Sequence, residues 1–309
     1  MELIFNIQGM PVWDWRVALD LFFGGIGVGA FLVALLVDWF YRDQQSLGRT
    51  AASLSPAMLL LGFLFLLMKL GRPMASIHLF TTYQPQSAVW WGGWLQSALL
   101  AGVLVYAFLW GQEASAFRRL WGLLVAPLAV AVAAYHGLLL ASFRVRSLWV
   151  STPALLSALF AAIATGLALT LLVHIVRARS QGQLQGAELV DYWRELSGLR
   201  KLLGAVLILQ LLVLAYWWLR LSGGGDAAVQ ALSAATAAYG LVFWGGGLGL
   251  GLVLPLLIGL NLARQAEASG EMVWTGLWTG SASILLGGLA LRWAVVLGGQ
   301  SAPLSMILG

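Results

Sequence analysis

Asp20, the Tyr135–His136 pair and Arg16 are the residues of this chain whose types and surroundings suit chemistry within a membrane. From Leu19 to Phe40 every residue is apolar or glycine except Asp20 and Asp38. A carboxylate inside such a run is costly unless it finds a partner or water, which makes Asp20 a functional candidate. Gly24 and Gly27 follow it at i+4 and i+7, so the acid shares a helix face with small residues that let neighbouring helices approach closely. The plain structural alternative is an Arg16–Asp20 staple between residues four apart on one helix. A carboxylate, a phenol and an imidazole on the walls of an apolar bundle suit a quinone. Its ring and tail need a greasy slot, its carbonyl oxygens need a few polar groups, and its reduction takes up two protons. Tyr135 reads equally as an interfacial tyrosine, and His136, about 100° around the helix from it, as a hydrogen-bond partner of a neighbouring helix.

These residues must be carried by long apolar elements. Of 309 residues, 61% are hydrophobic and 9% charged, a balance that excludes a soluble domain and fits a polytopic all-α membrane protein. Long continuous apolar runs argue against a β-barrel. Eight spans are expected, at 15–41, 51–70, 89–110, 119–141, 152–176, 198–221, 233–262 and 273–297, in one integral membrane domain over 1–309. Residues 1–150 hold the intramembrane polar groups, and 151–309 read as supporting helices. Gly71-Arg72-Pro73 ends the second span, 74–88 lies along the interface, 177–197 is the longest hydrophilic connection, and Ser222 to Asp226 is a glycine turn. No basic stretch followed by a short apolar region and cleavage site marks a cleaved signal peptide.

An even number of spans puts both termini on one side. That side collects Arg16, Lys69, Arg72, Arg144, Arg146, Arg220 and Arg292, and the other collects ten basic residues. The richer side is expected to be cytoplasmic, so the termini face outward. The net charge of +5 therefore concerns lipid headgroups and topology, not nucleic acid. On this topology Asp20, Tyr135 and His136 share an outer layer with Lys69, Arg72, Arg144 and Arg146 just above. Asp38 and His174 lie near the cytoplasmic face, as the start of a proton path or as solvated helix ends. Cysteine is absent, so the protein has no thiolates of its own to hold an iron–sulfur cluster. A haem with two axial histidines is a poor fit: His136 and His174 lie near opposite faces and His78 in a connection, although the pairing of His78 with His136 stays open. No metal spacing is apparent. The glycines from Gly245 to Gly251 lack the strand and acid of a nucleotide fingerprint and read as helix packing.

Several ordered motifs then resemble one family. They are Trp13-x-Trp15 leading to Leu21-Phe22-Phe23-Gly24-Gly25-Ile26-Gly27-x-Gly29-Ala30-Phe31, then Leu70-Gly71-Arg72-Pro73, then Ser87 with Trp91-Gly92-Gly93-Trp94, and finally Tyr135-x-Gly137 with Trp149. Together they resemble the NrfD-like, polysulfide reductase-type membrane subunits over most of the sequence. The resemblance implies an eight-span subunit exchanging electrons between a quinone pool, menaquinone or ubiquinone, and a peripheral four-cluster ferredoxin-like iron–sulfur subunit. That partner would serve a molybdopterin catalytic subunit or a multihaem cytochrome, outside a bacterial or archaeal cytoplasmic membrane. It implies a quinone site near the outer face between the first and fourth spans, at Asp20 and Tyr135, with His136 and Arg16 beside them. Lys69, Arg72, Arg144 and Arg146 match the basic outer loops that would dock the iron–sulfur partner. Position 20 departs from the family pattern, which has histidine there. Such a subunit binds no haem or metal and is not an enzyme alone. A secondary transporter or a proton-translocating module is the alternative, although 1–150 and 151–309 show no clear repeat.

Overall fold

The computed structural model describes residues 13–69, 76–112, 115–143, 146–149, 152–265 and 269–302. These residues form helices and connections, with no strand among them. The helices are α1 (Trp15–Phe40), α2 (Gln45–Lys69), the short α3 (His78–Thr81), α4 (Ala88–Leu109), α5 (Ser115–Ala141), α6 (Thr152–Ser180), α7 (Gly186–Glu195), α8 (Ser197–Ser222), α9 (Asp226–Arg264) and α10 (Gly270–Gly298). Eight of them are long and apolar enough to cross a membrane.

Several boundaries differ from the sequence expectation, for reasons hydropathy does not see. α2 starts at Gln45, six residues before the apolar run, because Gly48 in its first turn lets the Trp110 ring pack against it. The connection after the fifth span is partly helical. α7 buries Leu189, Tyr192 and Trp193 and leaves its charged residues outward. α9 is 39 residues long, and its middle, Leu241–Val253, is wound with π-helical turns. Pro255 has no amide to give to the Gly251 carbonyl, and five glycines nearby lower the cost of a wider winding.

α1 is the central helix, with α2, α5, α6 and α10 all packed on it. Its glycines explain how so many helices reach it. A methyl group added at Gly29 would strike the Ala162 carbonyl of α6, and one at Gly166 would strike the Gly29 backbone. On the other face a methyl at Gly62 of α2 would lie 2.7 Å from the Gly24 nitrogen. α1 is therefore held at backbone contact by α2 and α6, the geometry small residues permit within a bilayer.

At the mouth of the bundle the two ends of the sequence meet. The Gln300 side-chain amide donates to the Trp13 carbonyl at 2.6 Å, and the Trp13 amide donates back to Gln300 Oε1 at 3.1 Å. Arg146 donates to the Ala302 carbonyl at 2.6 Å, and the Trp149 indole to Val295 O at 2.9 Å. The described ends thus lie on one side, as an even number of spans requires.

Candidate functional site

The site is built where α1, α2, α4 and α5 meet, about two turns below Trp13 of this clasp. Asp20 and His136 are each 1% exposed, Tyr135 3% and Gln96 6%. The sequence brings them together through its glycines. A methyl group at Gly24 would lie 3.0 Å from His136 Cε1 and 3.9 Å from Asp20 Oδ1, so this one residue makes room for both. Gly92 of α4 does the same for Tyr135, whose phenol occupies the space a methyl there would fill. Tyr135 and His136 both turn inward, their ring centroids 6.3 Å apart, so the buried placement replaces the interfacial alternative for the tyrosine.

The polar atoms of this cluster are poorly satisfied. Among the described residues neither Asp20 oxygen has a hydrogen-bond partner, nor do the Tyr135 hydroxyl, His136 Nδ1 and Gln96 Oε1. The one internal link is Gln96 Nε2 to His136 Nε2, at 3.5 Å. Native interiors pair nearly all buried polar groups, so this many unpaired atoms in one place single the cluster out. A narrow cleft reaches Asp20, lined by Gly24, Leu59, Phe63, Gln96, Ser97 and Leu100. Phe63, Ser97 and Leu100 are half-exposed on α2 and α4, so this part of the cleft's lining reaches the outer side of the bundle at the second and third spans.

Arg16 is not part of this cluster, and the Arg16–Asp20 staple does not form. Asp14 caps the start of α1 by accepting from the Arg16 amide at 3.0 Å, and its carboxylate also takes the Arg16 guanidinium at 2.6 Å. A cap just outside the helix competes better for this guanidinium than an acid one turn inside. Arg16 also donates to Met68 O at 2.8 Å, and Lys69 Nζ lies 3.4 Å from Asp14. Burial would raise the Asp14 carboxyl, but the Arg16 hydrogen bonds and the Lys69 charge hold it below its ordinary value.

Of the basic residues expected to dock a partner, Arg72 and Arg144 lie outside the described residues. Lys69 and Arg146 already hold the internal partners given above.

Asp38 and His174 are not solvated helix ends. Asp38 is 1% exposed, with Arg118 Nη2 on one oxygen at 2.7 Å and Arg118 Nε on the other at 2.8 Å. The Tyr106 hydroxyl adds a third bond at 3.3 Å, and the guanidinium lies 4.0 Å from the Trp110 ring centre. His174 is buried with its ring 5.6 Å from that of Tyr192, because α7 folds back over it. Neither is brought near the Asp20 cluster. His78 sits exposed on α3, whereas His136 is buried in α5.

Two groups near the site escaped the sequence reading. Gln96 was hidden as one amide among the apolar and aromatic residues of α4, where any intramembrane amide is itself a signal. Arg292 was counted among the outer connections but lies within α10.

Comparison with known proteins accords with this architecture. Residues 3–303 match the family model described as Polysulphide reductase, NrfD. The sequence is 28% identical over 318 residues to Protein NrfD of Escherichia coli (strain K12), covering 94% of this protein and 95% of that one. It is 26% identical over 312 residues to the C subunit of polysulfide reductase of Wolinella succinogenes, again 94% of this protein and 95% of that one. Protein NrfD homolog of Haemophilus influenzae is 25% identical over 322 residues, with 94% of each sequence covered.

Proposed function

For a chain that belongs to the polysulphide reductase NrfD family, we propose a quinone-reactive role at the Asp20 cluster. Membership makes the protein a multi-pass membrane subunit of an oxidoreductase complex. The finer reading is a membrane anchor that exchanges electrons between the quinone pool and a peripheral iron–sulfur subunit. That subunit in turn serves a molybdopterin or multihaem partner on the outer side of a prokaryotic cytoplasmic membrane.

The observation that carries it is a buried, unpartnered carboxylate in a cleft whose other walls, Phe63 and Leu100, are apolar and half-exposed on two neighbouring spans. A ligand that arrives dissolved in lipid would enter past those walls, with its ring between Phe63 and Leu100 and its polar end at Asp20, Gln96 and His136. Those side chains would supply hydrogen bonds to a carbonyl oxygen. Asp20 and His136 are also the groups able to hold or release a proton there. The lining, apolar at Leu59, Phe63 and Leu100 and polar at Asp20 and Gln96, supports an apolar ring with a polar edge over a hydrophilic solute.

A photoreactive quinone analogue tests this on the intact complex in lipid. Its label is expected on peptides of α1, α2, α4 or α5 and is displaced by excess unlabelled quinone. Labelling confined to other helices, or labelling that excess quinone does not displace, would overturn the reading.

Docking of the iron–sulfur partner is proposed on the basic outer side, at Lys69, Arg72, Arg144 and Arg146. Neutralising all four should release the partner at lower salt than in the wild type, since exposed charge pairs are screened. Arg72→Gln with Arg144→Gln is the cleaner pair, because Lys69 and Arg146 also hold bonds within the subunit. A complex with all four neutralised that stays whole at about 1 M salt would remove these residues from the docking surface.

A further inference from the structure

The second half of the sequence holds buried polar groups of its own. Gln210 of α8 is 1% exposed, and among the described residues its Oε1 has no hydrogen-bond partner. Thr165 of α6 is 4% exposed and gives its hydroxyl hydrogen to the Ala161 carbonyl at 2.7 Å. Its oxygen therefore has only lone pairs left to offer. Both residues stand near the middle of their helices, at a depth where a polar group short of a hydrogen bond is expensive.

The two side chains line one narrow cleft between α6, α8, α9 and α10. Glycines shape it. A methyl group at Gly288 would lie 2.7 Å from Thr165 Cγ2, and one at Gly251 would lie 2.8 Å from the Gly287 Cα. Gly251 belongs to the π-wound stretch of α9, at whose end the Leu254 amide donates to the Gly249 carbonyl. In that register the next donor would come from Pro255, which has no amide hydrogen. The Leu250 carbonyl, beside Gly251, is therefore given no partner by the winding. Helical segments of this kind recur at functional sites.

The walls decide the ligand. The cleft has room for about one molecule the size of water, too little for a quinone ring or a carboxylate. No charged side chain lines it, so an ion would find nothing to offset the loss of its hydration. Gln210 and Thr165 both offer acceptors, so the ligand must bring two hydrogens. We propose that this cleft is a water site, in which one ordered water donates to Gln210 Oε1 and to Thr165 Oγ1. It joins α8 to α6 beside the π-wound turn of α9. Residues 151–309 thereby carry a polar ligand of their own and do more than support the first half. The proposal is independent of the quinone reading, since the cleft shares no lining residue with the one at Asp20.

Electron cryomicroscopy of the intact complex in lipid nanodiscs, at a resolution that shows ordered water, tests it. The wild type is expected to show one density within hydrogen-bond distance of both oxygens. Gln210→Met and Thr165→Val each keep the approximate shape of the side chain and remove one acceptor. Valine also keeps a methyl group for the contact at Gly288. Either substitution should abolish the density. A wild-type cleft without density, in a map that resolves other buried waters, overturns the proposal even if neither variant assembles. So does a density that survives either substitution. A density present in sodium buffer and lost in potassium buffer would make the occupant an ion, and that too overturns the water site.

Discussion

Asp20→Asn in the intact complex is expected to lower quinone-linked turnover by about 100-fold or more, the scale of a lost acid–base group. Oxidation of an artificial dye acting directly on the partner subunits should be unchanged. The substitution keeps the side chain's shape and adds a donor, but it removes the proton that a carboxyl group can exchange. It should be well tolerated by the fold, because neither Asp20 oxygen has a partner to lose among the described residues. That separates it from a structural role. Had Asp20 been stapled to Arg16, its replacement would impair assembly, and neutralising Arg16 would restore it. Arg16 is instead held by Asp14, so an added Arg16→Gln should restore nothing. Wild-type quinone-linked turnover in a fully assembled Asp20→Asn complex would show that the carboxyl has no part in the chemistry.

Arg118→Met should destabilise the subunit by about 3–5 kcal/mol, the usual consequence of leaving one partner of a buried ion pair alone. The pair binds the far end of α1 to the start of α5, and Tyr106 and Trp110 close over it from the end of α4. Removing the cation strands Asp38 at 1% exposure. The double variant Arg118→Met/Asp38→Asn removes the stranded charge and should recover most of the loss, which thermal unfolding of the purified complex in detergent would measure. The same double variant separates a staple from a proton path. As a staple, it leaves quinone-linked turnover per assembled complex near wild type. A loss of turnover comparable to that of Asp20→Asn, in complex that is fully assembled, would put Asp38 back on a proton route.

The fold was legible where the membrane imposes it. Eight apolar runs, a lone acid in the first of them and a glycine face beneath that acid are visible in the residues alone. Less visible was what each polar residue meets, because pairing within a bilayer is settled by helix approach and not by spacing along the sequence. Arg16 and Asp20 have a favourable spacing, yet Asp14 holds the guanidinium from a cap position. Asp38 looked like a helix end meeting solvent, and only the approach of α5 reveals Arg118 beside it. Arg118 and Arg292 were both counted as loop cations, since a charge tally cannot tell a connection from the last turns of a span. Gln96 reaches the site from α4 beside His136, and Arg292 comes from α10 to Gly25 of α1, contacts that no single sequence states. The π-helical middle of α9 had a local cause in Pro255 and its glycines, but those residues fit an ordinary packing seam equally well.

The meeting of Trp13 with Gln300 has a consequence for how the protein is made. α1 leaves the ribosome before the other described spans, yet residues that enclose it follow much later: Gly166, then Arg292 and Gln300. Until α10 is inserted, α1 has lipid or translocation machinery where its final neighbours will be. Such far-separated contacts slow the last step of folding and leave incomplete intermediates exposed. The nascent polypeptide thus holds Asp20 in the bilayer before α4 and α5 arrive to bury it. Insertion of α5 brings Tyr135 and His136 to Asp20, and α10 then covers another face of α1.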